Sequence, residues 1–516
     1  MEKIISKENS NLKKWLLLIP TMLATFMFTL DETIANIALP HIAGSFSVSS
    51  QESIWILTSY LIASCLTIPM IDWLTRLIGR KTMFISMVAL FTVASFFCGI
   101  SSSMIMIVIA RFLQGLGGGV LMPIAQAIIM EAFKGKELSL ATTIFGLVVI
   151  IAPIIGPVLG GWITENYSWH WIFFINIPVG VAILIMAQSM IYDPPYAQKQ
   201  QNVKTDWWGI FFLFCFAVAF EIMMDKGNDL DWFNSPFICR LTVIWVIALI
   251  GFIISQIKGK ETLVRLEVLK DWNLATGTLA LTIINAIMLG SLAILPQFMQ
   301  IMMRYDSFTS GLSMMPRGFG CLLGLFMANS LQQKVDSRLL SAFGIFVLCL
   351  GSWFLGDINL QISQSAIVFP NILYGFGMAL GMVPLITLSC KTVKKEDMSN
   401  ASGLQNFIKT IGGAVGTSLV ATFISRFSQT HQNMMTHFLN PTNDMYNIRL
   451  QTYSAQFSQF TDAINAHYMA QKLIYNQLLQ QARLWAYIDS FRIYAVLGLL
   501  IILILFMMKS DVNNKK

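Results

Sequence analysis

The chain has 516 residues, of which 55% are hydrophobic and only 12% are charged. Soluble domains carry about 25% charged residues, so this composition excludes a soluble protein and indicates one that crosses a membrane many times. The formal net charge of +7 would suit a nucleic-acid partner. However, most lysines and arginines fall in alternate loops between apolar segments, as the positive-inside rule requires. We therefore expect lipid around the protein and no nucleic acid.

Fourteen apolar segments predict an all-α membrane protein, because about 20 apolar residues span a bilayer as a helix. The predicted spans lie at 15–39, 52–72, 82–101, 103–130, 138–163, 170–192, 206–224, 236–256, 272–299, 309–330, 338–356, 362–390, 401–426 and 487–508. The basic loops lie on the side that holds both termini, so both ends are predicted to be cytoplasmic. The seven cysteines lack paired spacing, which favours packing residues over a disulfide framework or a metal site.

The first span holds Asp31, followed directly by Glu32, in an otherwise apolar stretch. A charge in the middle of a membrane helix costs at least about 2.5–3.5 kcal/mol, so Asp31 requires a partner, a water-filled cavity or a proton. Arg111 in the fourth span lies at a similar depth, roughly 12–14 Å below the outer surface at 1.5 Å per residue. We predict that the two side chains pair. A static ion pair that only holds two helices together is the alternative.

The loop between spans 2 and 3 is a candidate inner gate. A glycine there permits a tight turn, and its basic residues can pair with acidic groups or with the carbonyl ends of helices. A basic inner loop that serves only as a topology signal is the alternative. The candidate gate residues are Asp72, Arg76, Gly79, Arg80 and Lys81.

Spans 4 and 5 are rich in small residues and helix breakers. The glycines after Arg111 resemble a phosphate loop, but no Lys-Ser/Thr pair follows them, so they are better suited to close helix packing. Prolines and glycines in span 5 would kink the helix and expose its backbone, which a bilayer tolerates only under a protein or cavity cover. We predict a tight, functional helix crossing, with a purely structural bend as the alternative. The span 5 residues are Pro153, Gly156, Pro157, Gly160 and Gly161.

Removing spans 7 and 8 leaves two sets of six, a duplication typical of transporters. The predicted divisions are an N-terminal tail at 1–14, a first half at 15–192, an inserted pair with its loops at 193–271, a second half at 272–508 and a C-terminal tail at 509–516. The second half includes a polar outer loop at 428–484. We expect external helices there that cap the outer mouth, with docking of another protein as the alternative.

Four polar or charged residues in or near the spans are candidates for a substrate pocket: Gln114, Glu221, Arg317 and Asn406. The 37 phenylalanines and 30 methionines suit a plastic apolar pocket, although lipid-facing filler is the alternative for most of them. The sequence holds no ATP-binding, metalloprotease or serine-nucleophile motif. We therefore expect no enzyme activity and no cofactor.

In order and spacing, these stretches resemble the major facilitator superfamily, specifically its 14-span drug:proton antiporter branch and the EmrB-like multidrug exporters. The matching stretches are Leu30 to Pro40 for the first-helix signature, Arg111 to Gly119 for the span 4 motif with its proton-linked arginine, Gly156-Pro157 with Gly160-Gly161 for the antiporter motif, and Trp169 to Pro178 for a stretch typical of the branch. The inner loop departs from the family pattern, since Asp72 stands where Gly is usual and Arg76 where Asp is usual. Asp72 could partly substitute for that missing carboxylate.

The resemblance implies the major facilitator fold, with two six-helix halves and two extra helices. It also implies a proton-coupled antiporter of the bacterial inner membrane that exports amphipathic compounds, energised by the proton gradient through protonation of Asp31. A periplasmic adaptor and an outer-membrane channel are the implied partners. A proton-coupled importer, or an exporter of one specific metabolite, is the alternative. A channel is disfavoured by the breaker-rich span 5 and the duplicated halves, and a receptor by the short tails.

Overall fold

The computed structural model describes residues 2–193, 197–200, 203–259, 262–332 and 334–509. These residues form α-helices and short 3-10 turns, and no strand occurs among them. The helices are α1 Glu2–Phe46, α2 Ser50–Ser53, α3 Trp55–Thr67, α4 Ile71–Ile78, α5 Arg80–Gly99, α6 Met104–Gly118, α7 Leu121–Ala132, α8 Gly135–Asn166, α9 Trp171–Phe174, α10 Asn176–Met190, α11 Trp207–Lys226, α12 Pro236–Lys258, α13 Trp272–Ile301, α14 Ser307–Leu312, α15 Met315–Leu331, α16 Ser337–Leu355, α17 Gln364–Cys390, α18 Met398–Thr436, α19 Asp444–Phe457 and α20 Ala463–Met507. Beyond residue 509, the predicted C-terminal tail lies outside the described residues.

The helices account for all fourteen predicted spans. Within the described ranges, thirteen segments are long and apolar enough to cross a membrane by themselves, and the pair α3 and α4 supplies one more, bent by 64°. Pro69 lies in that bend, where it removes a backbone donor and breaks the helix. The predicted all-α membrane protein with fourteen spans is therefore confirmed, with span 2 broken in the middle.

The first six and the last six spans pack by the same pattern, and we call them the N-terminal bundle (α1–α10) and the C-terminal bundle (α13–α20). In the N-terminal bundle the contacting pairs include α1 with α8 and α10, α3 with α6, and α5 with α6 and α10. In the C-terminal bundle the corresponding pairs are α13 with α18 and α20, α15 with α17, and α16 with α17 and α20. The two bundles meet through α8 against α14, α15 and α17, and through α7 against α18.

The inserted spans 7 and 8 form a pair of their own, α11 against α12. Helix α11 also contacts α3 of the N-terminal bundle and α18 of the C-terminal bundle. The inserted pair therefore covers one side of the seam between the two bundles.

The outer loop 428–484 is helical, as expected, but most of it continues the neighbouring spans. Helix α18 runs on to Thr436 and α20 begins at Ala463, with α19 packed against α20 between them. Asn440 to Asn443 form a turn before α19. Outer and inner, here and below, follow the predicted orientation of the termini.

Candidate functional site

Asp31 and Arg111 are in direct contact inside the N-terminal bundle. The Arg111 Nη1 donates to Asp31 Oδ2 at 2.5 Å, and neither side chain has any exposed surface. The Arg111 Nε donates to the carbonyl of Ile56 at 3.2 Å, and its Cζ lies 4.1 Å from the centre of the Tyr60 ring. The two charges, assigned similar depths on α1 and α6, thus form a fully buried ion pair.

Two further side chains bond to the Asp31 carboxylate, and a third bonds to both of them. The amides of Gln114 and Asn176 donate to Asp31 Oδ1 at 2.9 and 2.8 Å. The Ser95 hydroxyl accepts from the same two amides at 2.6 and 3.1 Å. Donors from α6 and α10 are thus arranged to meet a negative charge on α1. The Asp31 carboxylate is thus the common acceptor that joins α1 to α6 and α10.

Span 5 packs against α1 one turn beyond Asp31. A Cβ at Gly156 would clash with the Thr33 hydroxyl, and one at Gly160 would lie 3.0 Å from the carbonyl of Ile34. Helix α8 is continuous from Gly135 to Asn166 despite its prolines. Pro153 and Gly161 are buried and Pro157 is half-buried. The crossing is as tight as predicted, and it links α1 to the helix that contacts the C-terminal bundle.

The inner loop forms a closed polar contact between the bundles. Gly79 has a φ of +86° and makes the turn between α4 and α5, a conformation that favours glycine. Arg80 donates twice to Glu131 of α7, at 2.7 and 2.9 Å, and once to Ser399 of α18 at 3.0 Å. One arginine therefore connects two parts of the N-terminal bundle to the C-terminal bundle.

Lys81 binds the other side of the N-terminal bundle through its backbone and its side chain. Its backbone N–H donates to Asp193 Oδ1 at 2.7 Å, and its ammonium donates to the carbonyl of Gln188 at 2.5 Å. Lys81 thereby fixes the start of α5 to the inner end of α10.

Asp72 links this loop to the segment before α13. Its carboxylate lies 3.3 Å from the Arg76 Nε and 3.2 Å from the Arg265 Nη2. Arg265 in turn contacts Asp397 at 2.7 Å, and Arg76 donates to the carbonyl of Thr262 at 2.8 Å. Asp72 therefore pairs with Arg76, and together they join the first half to the linker that follows the inserted helices.

A second layer of cross-bundle hydrogen bonds lies between α7 and α18. The Gln126 amide donates to Gln405 at 2.5 Å, and Asn406 donates to Gln126 at 2.8 Å. Ser402 donates to the carbonyl of Pro123 at 3.1 Å. These contacts and the loop contacts close the molecule towards the inner side.

The four candidate pocket residues are not brought together. Gln114 belongs to the Asp31 network, and Asn406 to the contact between α7 and α18. Arg317 is buried inside the C-terminal bundle, and Glu221 lies on the inserted helix α11. Among the described residues, no hydrogen bond or charge interaction joins any two of the four. The sequence placed these residues in or near the spans, but it did not predict which neighbouring helix each one faces.

Several residues of these networks were not singled out from the sequence as site residues. Asn176 stood in a recognised stretch and Ser95 in a plain apolar span, so only the helix rotations place them against Asp31. Glu131 and Asp193, which bind Arg80 and Lys81 of the inner loop, were detectable in principle, because each is an isolated carboxylate at the inner end of a predicted span. The unassigned residues are Ser95, Glu131, Asn176, Asp193 and Arg265.

Comparison with known families and structures agrees with this architecture. The family model described as Major Facilitator Superfamily matches residues 21–417. By overall shape, the chain is similar to the human organic anion transporter MFSD10 (TETRAN), with a TM-score of 0.60 at 11% identity, covering 95% of this chain and 99% of that one. At that identity the likeness concerns the fold alone.

Two curated relatives from Escherichia coli (strain K12) are similar along most of the chain. The probable multidrug resistance protein EmrY is 31% identical over 503 residues, which are 97% of this chain and 96% of EmrY. The multidrug export protein EmrB is 32% identical over 423 residues, which are 82% of each chain.

Proposed function

Because the chain belongs to the Major Facilitator Superfamily, we propose that it is a proton-coupled antiporter that exports amphipathic or hydrophobic compounds. The multidrug names of EmrY and EmrB support the substrate class. The buried Asp31–Arg111 pair supports the coupling, since it is an intramembrane ion pair whose carboxylate can take up a proton. The protein acts as a transporter and not as an enzyme, and the proton gradient is its energy source.

The coupling step follows from the contacts of α1. Unprotonated Asp31 holds Arg111, Gln114 and Asn176, which ties α1 to α6 and α10. A proton that enters from outside removes this attraction and frees α1 to shift against them. Because α1 packs tightly on α8, and α8 contacts α14 and α15, the shift reaches the C-terminal bundle. Each protonation state thereby favours one arrangement of the two bundles, in the manner of alternating access.

The contacts of the inner gate determine how stable the inward-closed arrangement of the two bundles is. The contacts of Arg80 with Ser399 and of Arg265 with Asp72 and Asp397 stabilise the form closed inside. Opening inwards breaks these contacts. The free energy lost with these contacts is largely offset because the freed polar groups are then hydrated.

The cell location and partners extend this proposal. The basic inner loops support an inner-membrane protein with both termini in the cytoplasm. On the outer loop 428–484, large apolar side chains are solvent-exposed, among them Phe438, Phe460 and Ile464 at 67%, 86% and 71%. Where such side chains adjoin one another outside the membrane, they offer a surface on which another protein can dock. This loop is our candidate contact for a periplasmic adaptor that leads to an outer-membrane channel.

The test is dye efflux from cells that carry the wild type or Asp31→Asn, with and without a protonophore. Asparagine keeps the size of the side chain but cannot exchange a proton. Wild-type efflux is expected to stop with the protonophore, and the variant is expected to match cells without the transporter. Asp357→Asn, in an exposed outer ion pair with Arg492, is the control and should transport normally. Protonophore-sensitive efflux by Asp31→Asn would overturn the coupling.

A further inference from the structure

A cavity of about 370 Å³ lies beside the Arg80 contacts at the inner end of the N-terminal bundle, and we call it the inner cavity. Its walls come from α1, α5, α7, α8 and the segment after α10, and from the 3-10 turn before α18. Both bundles therefore contribute to it. Its charged lining residues are Lys14, Arg80, Glu131, Lys134, Glu137 and Lys395.

The inner cavity has an excess of positive charge. Arg80 and Glu131 compensate each other, because the guanidinium donates twice to that carboxylate. The ammonium groups of Lys14, Lys134 and Lys395 then face the single carboxylate of Glu137. In the described ranges, no salt bridge involves any of these last four side chains. The cavity is therefore suited to an anion.

An anion in the inner cavity would contact lysines of both bundles. The Lys395 ammonium, from the turn before α18, donates to the carbonyl of Glu131 at 2.9 Å. An ammonium has three donors, so Lys395 can bind this carbonyl and an anion at the same time. Lys14 and Lys134 approach the cavity from the N-terminal bundle. A bound anion would thus add a cross-bundle contact to those that close the inner side.

The inner cavity lies at the level of the inner membrane surface. Lys14 directly precedes the first predicted span, Lys134 lies between spans 4 and 5, and Tyr192 ends span 6. The Trp15 ring packs on Phe133 with centroids 5.0 Å apart, and Tyr192 is largely exposed. Tryptophan and tyrosine are enriched where a membrane meets water. The headgroups of the inner leaflet are therefore the anions next to this cavity.

We propose that the inner cavity binds the phosphate group of an anionic phospholipid from the inner leaflet, and that the bound phosphate stabilises the inward-closed arrangement of the two bundles. Lysine binds phosphate as a point charge, and basic cavities between helices on the cytoplasmic side suit anionic headgroups. The buried side chains of Leu17, Ile128 and Ile191 also line the cavity and can contact the apolar part of the lipid. Inorganic phosphate shares the same charge chemistry, so the test must separate the two sources.

The test is retention of radiolabelled phosphatidylglycerol by the immobilised full-length protein in detergent, compared with phosphatidylcholine. Lys14→Gln combined with Lys134→Gln should weaken retention of phosphatidylglycerol at least about tenfold. The matched control is Lys136→Gln combined with Lys394→Gln, which removes two exposed lysines adjacent to the cavity that do not line it. The control pair should bind as the wild type. Unchanged binding by the first pair, or an equal loss in both pairs, would overturn the site.

Competition separates the lipid from free phosphate. Inorganic phosphate should displace no more phosphatidylglycerol than sodium chloride does at the same ionic strength, since both then only screen the lysines. Displacement by phosphate well beyond that of sodium chloride would assign the cavity to a soluble phosphate and overturn the lipid as its ligand.

Cys390 reports whether the bound lipid stabilises the inward-closed arrangement. Its thiol is buried in the contact between α7 and α18, 3.9 Å from the Gln126 amide nitrogen and 3.8 Å from Gln405 Oε1. Phosphatidylglycerol should slow its alkylation by a maleimide, measured by peptide mass spectrometry, in the wild type but not in the variant that lacks Lys14 and Lys134. Lipid that binds without slowing this alkylation would overturn the stabilising role. Neither measurement needs a proton gradient or an exported compound, so both are independent of the proposed antiport.

Discussion

Each bundle buries one arginine over one tyrosine, and the two sites differ in what completes them. The Cζ of Arg111 lies 4.1 Å from the Tyr60 ring centre, and that of Arg317 lies 4.2 Å from the Tyr374 ring centre. The spans that carry the arginine and the tyrosine differ between the two bundles, however. Arg111 is on span 4 and Tyr60 on span 2, whereas Arg317 is on span 10 and Tyr374 on span 12. In the duplicated order, each arginine thus stands on the span that carries the tyrosine in the other bundle.

The first span of each bundle decides the chemistry. Span 1 supplies the Asp31 carboxylate to Arg111, but span 9 supplies only the Ser291 hydroxyl to Arg317, at 3.2 Å. The other described partner of Arg317 is Asn371 Oδ1 at 3.2 Å. Arg317 is stabilised by its cation–π contact and by these neutral acceptors. A desolvated cation–π contact contributes about 2 kcal/mol or more. The N-terminal site therefore pairs two opposite charges, while the C-terminal site holds a positive charge among neutral groups.

The largest expected difference between the sites comes from removing each arginine. Arg111→Met leaves the Asp31 carboxylate buried and unpaired, and breaking a buried pair in this way costs about 3–5 kcal/mol. Arg317→Met also removes hydrogen bonds but leaves only neutral groups behind, so we expect a loss of about 1–2 kcal/mol. Thermal unfolding of the purified variants in detergent measures the order of the two.

A double variant separates the effect of the unpaired charge from that of the lost arginine side chain. Asp31→Asn combined with Arg111→Met should regain most of the lost stability, because no unpaired charge remains, and it should still fail to transport. Equal destabilisation by the two single variants would show that the carboxylate does not set the sites apart.

The sequence predicted the parts of this comparison that depend on segment length and depth. Long apolar runs identify spans without knowledge of their packing, and similar depth was enough to pair Asp31 with Arg111. The bend in span 2 could have been predicted from Pro69, which interrupts an apolar run.

The rest depends on how the helices are rotated about their axes. Ser291 is an ordinary serine in an apolar span, and nothing local indicates that it faces Arg317. The position of Glu221 between α3 and α18 likewise follows from where the inserted pair packs. Sequence spacing predicts which residues share a helix face, but not which neighbouring helix that face meets. The candidate pocket residues were consequently grouped by chemistry and lie in four places.

Placing a carboxylate beside Arg317, where the C-terminal bundle has none, should change stability less than removing either arginine. Ser291→Asp places a carboxylate beside the Arg317 guanidinium, so the new charge has a partner and the protein should keep or raise its unfolding temperature. Ser352→Asp is the matched control, since Ser352 is equally buried but donates to the carbonyl of Phe491 at 2.9 Å. There the carboxylate meets an oxygen and should destabilise by several kcal/mol. Similar losses for both variants would mean that Arg317 is not free to accept an anion.

Removing the tyrosine hydroxyls should have the smallest effect and should be alike in both bundles. The Tyr60 hydroxyl donates to the carbonyl of Phe28 at 3.4 Å, and that of Tyr374 donates to the carbonyl of Ile287 at 3.1 Å. Tyr60→Phe and Tyr374→Phe each lose one such bond, about 1 kcal/mol or less, while the ring stays over its arginine. Dye efflux by both variants should therefore remain near that of the wild type. If Tyr60→Phe alone stopped efflux, its hydroxyl would belong to the proton path at Asp31, and the two sites would differ in one residue more than the acid.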